Sequence, residues 1–245
     1  MAKFTFAHDI KNYECDRNRN LRLVSLFNIL QDAADRAAEK INLGWTFCVE
    51  NSCAWVGTGY EVEILRLPRI NEPVSVTTWP STLGKLSSSR DFVMAGADGR
   101  VLVRASSLWV LIDIDRKRPR LLPGLLQEGM LAPDRAIPTD FPKLPALDPA
   151  DRTHSLETKA WFNEIDVNQH VNNAMYPLWA SESLGGEFLS AHAPASLTVE
   201  FKKETFLDQL AQVDTRLDGM ESLSVIRLAE GGHDLAKVRV SWRAL

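Results

Sequence analysis

The sequence has few cysteines, no basic excess and no long apolar run, and each shortage removes a class of protein. Cys15, Cys48 and Cys53 are too few, and odd in number, to form a disulfide framework. They share no ligand spacing with the scattered histidines His8, His154, His170, His192 and His233, so no metal site is expected. A net charge of −4 leaves no general attraction for nucleic acid. No stretch of about 18 apolar residues occurs, so stable membrane insertion is not expected. The opening Met1-Ala2-Lys3-Phe4-Thr5-Phe6 reads as a strand start and lacks the pattern of a signal peptide or presequence. The resulting expectation is a soluble, cytoplasmic protein.

What is present is enough apolar material, 45% of 245 residues, to bury a substantial core. Seven of the twelve prolines fall between Pro119 and Pro149, a stretch without helix or strand period. Such composition suits an extended connector. It predicts an N-terminal repeat over 1–118, a linker over 119–157 and a C-terminal repeat over 158–245.

The two halves read alike. The first has a short strand at 4–8, then a helix over about 21–41 with Leu23, Leu26, Phe27, Leu30, Ala33, Ala34 and Ala37 at three- and four-residue spacing. Strands are predicted at 54–67, 73–79, 86–95 and 101–114, with Ala97-Asp98-Gly99 as a hairpin turn. The second has a strand at 159–163, a helix over 172–184 and strands at 196–203, 209–217, 222–228 and 235–242. Alternation of Ala236, Val238, Val240 and Trp242 fits a half-buried antiparallel strand. Val62-Glu63-Ile64 lies over Val199-Glu200-Phe201, and Trp109 over Trp242. Asp16-Arg17-Asn18-Arg19-Asn20 lies over Asp166-Val167-Asn168-Gln169-His170. A duplicated helix-plus-antiparallel-sheet unit of class α+β follows.

The segment 161–173 carries the candidate chemistry. Asp166, Asn168 and His170 alternate just ahead of the second helix. In an extended approach they share one face, and the helix N-terminus adds N–H groups and dipole suited to a developing oxyanion. The plain alternative makes Asp166 and Asn168 turn residues and His170 a surface side chain.

The run Asp166-x-Asn168-x-His170-Val171-Asn172-Asn173 resembles the active-site motif of acyl-acyl-carrier-protein thioesterases of plants and bacteria. Leu30-Gln31-Asp32-Ala33-Ala34, Thr78-Trp79-Pro80-Ser81, Arg90-Asp91-Phe92, the 105–113 stretch and Glu200-Phe201-Lys202-Lys203-Glu204 continue the resemblance in order. It implies a double hot-dog fold, two tandem repeats each with a long helix wrapped by a curved antiparallel sheet. It also implies catalytic roles for Asp166, Asn168, His170 and Glu204 in hydrolysis of fatty acyl-carrier thioesters to free fatty acid. Many plant members carry a cysteine after that glutamate; here the residue is Thr205, which ionises too weakly to replace a thiolate. Water attack is therefore expected, with Glu204, or Glu204 with His170, as base, its pKa raised by burial beside a second carboxylate. Asp166 would orient the water or His170, or itself act as base; the three remain open. Asn168 and a backbone N–H at the helix start would hold the thioester oxygen.

Pro177, inside the predicted helix, should cost about 3 kcal/mol if fully interior, unless the helix starts late or bends. In the first repeat His170 becomes Asn20 and Glu204 becomes Leu67, neither of which is a base near neutral pH. That repeat is expected to be silent and to build the acyl pocket, with Leu26, Leu30, Ala33 and Ala37 as candidate lining or as plain core. Arg116, Lys117, Arg118, Lys202 and Lys203 are candidates for docking an acidic acyl carrier protein. No cofactor is demanded, and the chain would be a monomer or homodimer. A hot-dog acyl-CoA thioesterase, a hot-dog enoyl-thioester hydratase and a non-catalytic acyl-thioester sensor are the competing readings.

Overall fold

The computed structural model describes residues 3–125 and 128–245. Met1 and Ala2 of the expected first strand, and Leu126 and Gln127 of the expected linker, lie outside them. The chain divides into two compact units, Met1–Phe141 and Pro142–Leu245.

The first unit contains β1 (Phe4–Asp9), α1 (Leu23–Glu39), α2 (Trp45–Glu50), β2 (Cys53–Ile64), β3 (Pro73–Leu83), β4 (Ser87–Gly96), β5 (Val101–Asp113) and β6 (Arg118–Pro119). Its antiparallel sheet has the order β1-β3-β4-β5-β2, with β6 on the end of β5. The second contains β7 (His154–Lys159), α3 (Met175–Glu182), α4 (Gly185–Ala191), β8 (His192–Phe201), β9 (Leu210–Asp218), β10 (Glu221–Leu228) and β11 (Asp234–Ala244). Its order, β7-β9-β10-β11-β8, is the same topology repeated. Trp109 pairs with Gly57 and Trp242 with Pro194, so the two tryptophans occupy equivalent places in the two sheets.

Helix α1 forms because Leu26, Leu30, Ala33 and Ala37 fall on one stripe, and all four are buried. Phe27 lies on the same side and packs against Tyr60 of β2, ring centroids 5.2 Å apart. Each large apolar side chain so covered contributes about 1.5–3 kcal/mol. The helix ends where Asn42 takes a left-handed φ of 55°, letting the Leu43 N–H reach back to the Ala38 carbonyl at 2.9 Å.

The second repeat departs from the expected long helix. Asn172 accepts the Ala174 N–H on its side chain and the Met175 N–H on its carbonyl, each at 2.9 Å, and this turn delays the helix. Pro177 is thus the third residue of α3, where no intrahelical N–H bond is due, and the expected penalty does not arise. Ser183 and Leu184 separate α3 from α4, which opens on Gly185 at φ 82° and has no counterpart in the reading of the sequence. Helix α3 packs on β7, β9, β10 and β11.

The proline-rich stretch is not a free spacer. On the first unit, Leu122 is buried, Trp79 donates to the Asp134 carbonyl at 2.8 Å, and Arg135 pairs with buried Asp91 at 3.0 Å. On the second, Leu144 and Leu147 pack with Leu223 and Val225. Proline prevents a regular period there, but the interspersed leucines still bury. The strand expected at 159–163 lies earlier, at His154–Lys159, and Phe162–Glu164 form a 3-10 turn.

Candidate active site

The motif is a tight loop rather than an extended approach. The Asp166 N–H donates to the His170 carbonyl at 2.9 Å and the Gln169 N–H to the Asp166 carbonyl at 3.0 Å. Gln169 takes φ 67°, the left-handed conformation that lets so short a loop close. Ile165 and Val171 form a bridge at its neck. Asp166, Asn168 and His170 therefore converge through a turn, not through strand alternation.

Asp166 organises the loop interior. Its Oδ1 accepts the Asn168 N–H at 2.8 Å, and its Oδ2 accepts from the Asn168 carboxamide at 3.4 Å. His170 Nδ1 lies 3.7 Å from Asp166 Oδ1, beyond a direct hydrogen bond. His170 and Asp166 are partly buried and Asn168 is exposed.

Glu204 reaches the loop from the segment after β8. The Val171 N–H donates to the Thr205 carbonyl at 2.8 Å, so Glu204-Thr205 lies against His170-Val171 along the backbone. Glu204 is exposed, so the burial expected to turn it into a base is absent. The helix also starts late: α3 begins at Met175, five residues beyond His170, rather than at the expected Asn172.

Glu164, Tyr176 and Trp179, which tie the segments beside the loop together, were not singled out in the sequence. Glu164 accepts the Trp161 N–H at 3.0 Å and the Trp179 indole N–H at 3.3 Å, while its carbonyl accepts the Asn172 N–H at 2.8 Å. Buried Tyr176 donates to buried Thr205 at 3.2 Å. Burial pushes the Tyr176 hydroxyl up to about 12, and the Glu204 and Asp166 carboxylates add to the shift, so both charges act on one hydroxyl. Thr205 is thus a buried residue that packs beneath the loop and hydrogen-bonds Tyr176. Glu164 had a signal: Glu14 stands at the same offset from Asp16 and caps the Lys11 N–H at 2.7 Å.

The first repeat reproduces this construction. The Asp16 N–H donates to the Asn20 carbonyl at 2.8 Å, Arg19 takes φ 65°, and the Leu21 N–H donates to the Pro68 carbonyl at 2.8 Å. Asn20 therefore stands where His170 does, and Leu67 where Glu204 does. Leu26, Leu30, Ala33 and Ala37 lie in the α1 core. Arg116, Arg118 and Arg120 line an open groove of about 760 Å³ with Asp113, Leu121 and Leu125. Lys202 and Lys203 belong to the other unit and immediately precede Glu204.

Two tandem helix-on-sheet repeats, one carrying a carboxylate–imidazole–carboxamide loop, define a double hot-dog protein of class α+β. The chain matches the acyl-ACP thioesterase N-terminal domain over residues 1–127 and the acyl-ACP thioesterase C-terminal domain over residues 148–244, and it belongs to that family. It is 32% identical to acyl-[acyl-carrier-protein] hydrolase FATB2, chloroplastic, of Cuphea viscosissima, over 96% of this chain and 61% of that protein. It is 30% identical to palmitoyl-acyl carrier protein thioesterase, chloroplastic, of Cuphea hookeriana, over 96% of this chain and 60% of that protein. The chain thus spans about three fifths of the length of the curated relatives it matches. In fold it is similar to the 12:0-ACP thioesterase from Umbellularia californica, with TM-score 0.89 and 24% identity, over 100% of this chain and 98% of that one. An acyl-ACP thioesterase from Bacteroides thetaiotaomicron gives TM-score 0.87 at 20% identity, over 99% and 98% of the two chains.

Proposed function

We propose that this protein hydrolyses the thioester of fatty acyl-acyl carrier protein, releasing free fatty acid and the carrier thiol. The observation that carries the reading is the pairing of His170 with Asp166 on a loop that also meets Glu204, in one repeat only. In this scheme Asp166 orients His170 through Nδ1, and Nε2 takes a proton from water as the water oxygen attacks the thioester carbonyl. Exposed Glu204 accepts a hydrogen bond from the other O–H of that water and holds it for attack. The Asn168 carboxamide, steadied by Asp166, donates to the carbonyl oxygen as negative charge develops there. The C–S bond then breaks, and the proton on Nε2 passes to the departing thiolate. Thiolate is a good leaving group, so this sequence calls on no cofactor.

The test is thiol release from matched acyl-carrier and acyl-CoA substrates across chain lengths. Release from the carrier substrate, lost in both His170→Ala and Glu204→Ala, is the expected result. Preference for acyl-CoA would move the assignment to the CoA class, and binding without thiol release would make the protein a sensor. Near-normal turnover in both variants would sink the site.

A further inference from the structure

We infer that an exposed apolar collar around the catalytic loop is the surface on which the acyl carrier protein lands; this deepens the thioesterase reading and rests on it. Trp161, Phe162 and Val167 are 58%, 77% and 72% exposed, and Phe206 and Leu207 are each 44% exposed. Large apolar side chains concentrated at one place on a surface mark a contact site. These five sit on one hydrogen-bonded block. The Ala160 N–H donates to the Gln209 carbonyl and the Asp208 N–H to the Ala160 carbonyl, each at 2.9 Å, while Val171 bonds Thr205.

The first repeat supplies an internal control. Its Ile10 N–H donates to the Glu72 carbonyl at 3.1 Å and its Asn71 N–H to the Ile10 carbonyl at 2.9 Å, the same bonds on the same skeleton. There the places of Trp161, Phe162, Val167 and Phe206 are taken by Lys11, Asn12, Arg17 and Arg69; only Leu207 keeps an apolar counterpart, Ile70. The scaffold therefore closes with polar or charged residues at four of these five places, although its own Tyr13 is 75% exposed. Two exchanges run the other way: Tyr13 becomes Asn163, and exposed Leu65 becomes Lys202. The second of these adds charge to the rim. Lys202, which pairs with Glu200, and exposed Lys203 precede Glu204, while Lys159 lies 4.4 Å from the centre of the Trp161 ring and pairs with Asp208 at 2.8 Å.

An apolar centre with a lysine rim complements a small acidic carrier. Any macromolecular carrier delivering a thioester to His170 meets the residues around that loop first.

The test removes the apolar side chains without adding charge: Trp161→Gln, Phe162→Asn and Phe206→Gln together, with Phe162→Asn alone as the milder variant. kcat/KM is measured on acyl-carrier protein and on acyl-pantetheine bearing the same acyl chain. The triple variant should lose at least about tenfold on the carrier substrate, through KM, and change by less than about twofold on acyl-pantetheine. Phe162→Asn should show the same split at about threefold. Equal losses on both substrates, or none on the carrier, would overturn the collar while leaving the hydrolase standing. So would a changed oligomeric state in gel filtration, or vesicles of phosphatidylglycerol binding the wild type but not the triple variant. A wild type releasing thiol from neither substrate would overturn both readings together.

Discussion

The loops at Asp16–Asn20 and Asp166–His170 are one piece of architecture built twice, with the same closing bonds and the same left-handed fourth residue. They differ in what the aspartate is asked to do. Asp16 Oδ1 accepts two backbone N–H groups, from Asn18 at 2.8 Å and Asn20 at 2.9 Å. Asp166 Oδ1 accepts one, from Asn168 at 2.8 Å, and turns to the His170 imidazole instead. The comparison teaches that the loop's folding does not depend on its chemistry. A histidine, a glutamate and an under-used aspartate were placed on a scaffold that closes equally well with Asn20, Leu67 and an Asp16 occupied by the backbone.

The sharpest way to break this comparison is to make the second loop resemble the first. His170→Asn should lower turnover by about 10²–10⁴-fold in a thiol-release assay, with the folded state retained. Adding Asn20→His to that variant should restore nothing, because Leu67 offers no carboxylate; recovered turnover would show that the two loops are chemically interchangeable. Glu204→Leu should lower turnover by about 10²-fold or more.

A smaller effect separates the aspartates by stability. Asp16→Ala strands two N–H groups and should cost about 1–3 kcal/mol in a urea melt, whereas Asp166→Ala strands one and should cost about half that. Equal costs would mean that the two aspartates contribute alike to folding.

The smallest concerns the segments beside the loops. Glu72 caps the Arg69 N–H at 2.9 Å as Gln209 caps the Phe206 N–H at 2.9 Å. The Arg66 hydrogen bond holds the Glu72 carboxyl below its ordinary value of 4.5. A carboxyl depressed in the folded state adds stability above its unfolded value, and that stability is lost as pH falls through the folded one. Glu72→Gln, copying the other repeat, should keep the cap and flatten the loss of stability below about pH 4.5 in acid titrations followed by circular dichroism. An unchanged acid limb would remove Glu72 from the account.

Much of the duplication could be read along the chain, because strand alternation and the stripe Leu26, Leu30, Ala33, Ala37 depend only on local periodicity. The correspondences Asp16 with Asp166 and Leu67 with Glu204 needed only fixed spacing, and the backbone bonds reproduce them. The late start of α3 was hidden because it depends on the Asn172 side chain capturing an N–H, an event that residue type permits but does not require. Tyr176 gave no sign of its role, since its partner Thr205 lies 29 residues away. Glu204 was expected to be buried beside a second carboxylate, yet β8 ends at Phe201 and the glutamate stands in solvent.

The sequence by itself determined the repeat, the antiparallel class, which of the two loops carries a histidine and a nearby glutamate, and the threonine at position 205. All of these are properties of residue type and spacing. Only the tertiary structure decided that the loop turns rather than runs straight, that Asp166 has an acceptor to spare, and that leucines draw the proline-rich stretch onto the two cores. It also put exposed aromatics around the one loop that carries a histidine. These follow from where distant segments meet, and a hydrogen-bond or burial partner far along the chain leaves no mark on local pattern.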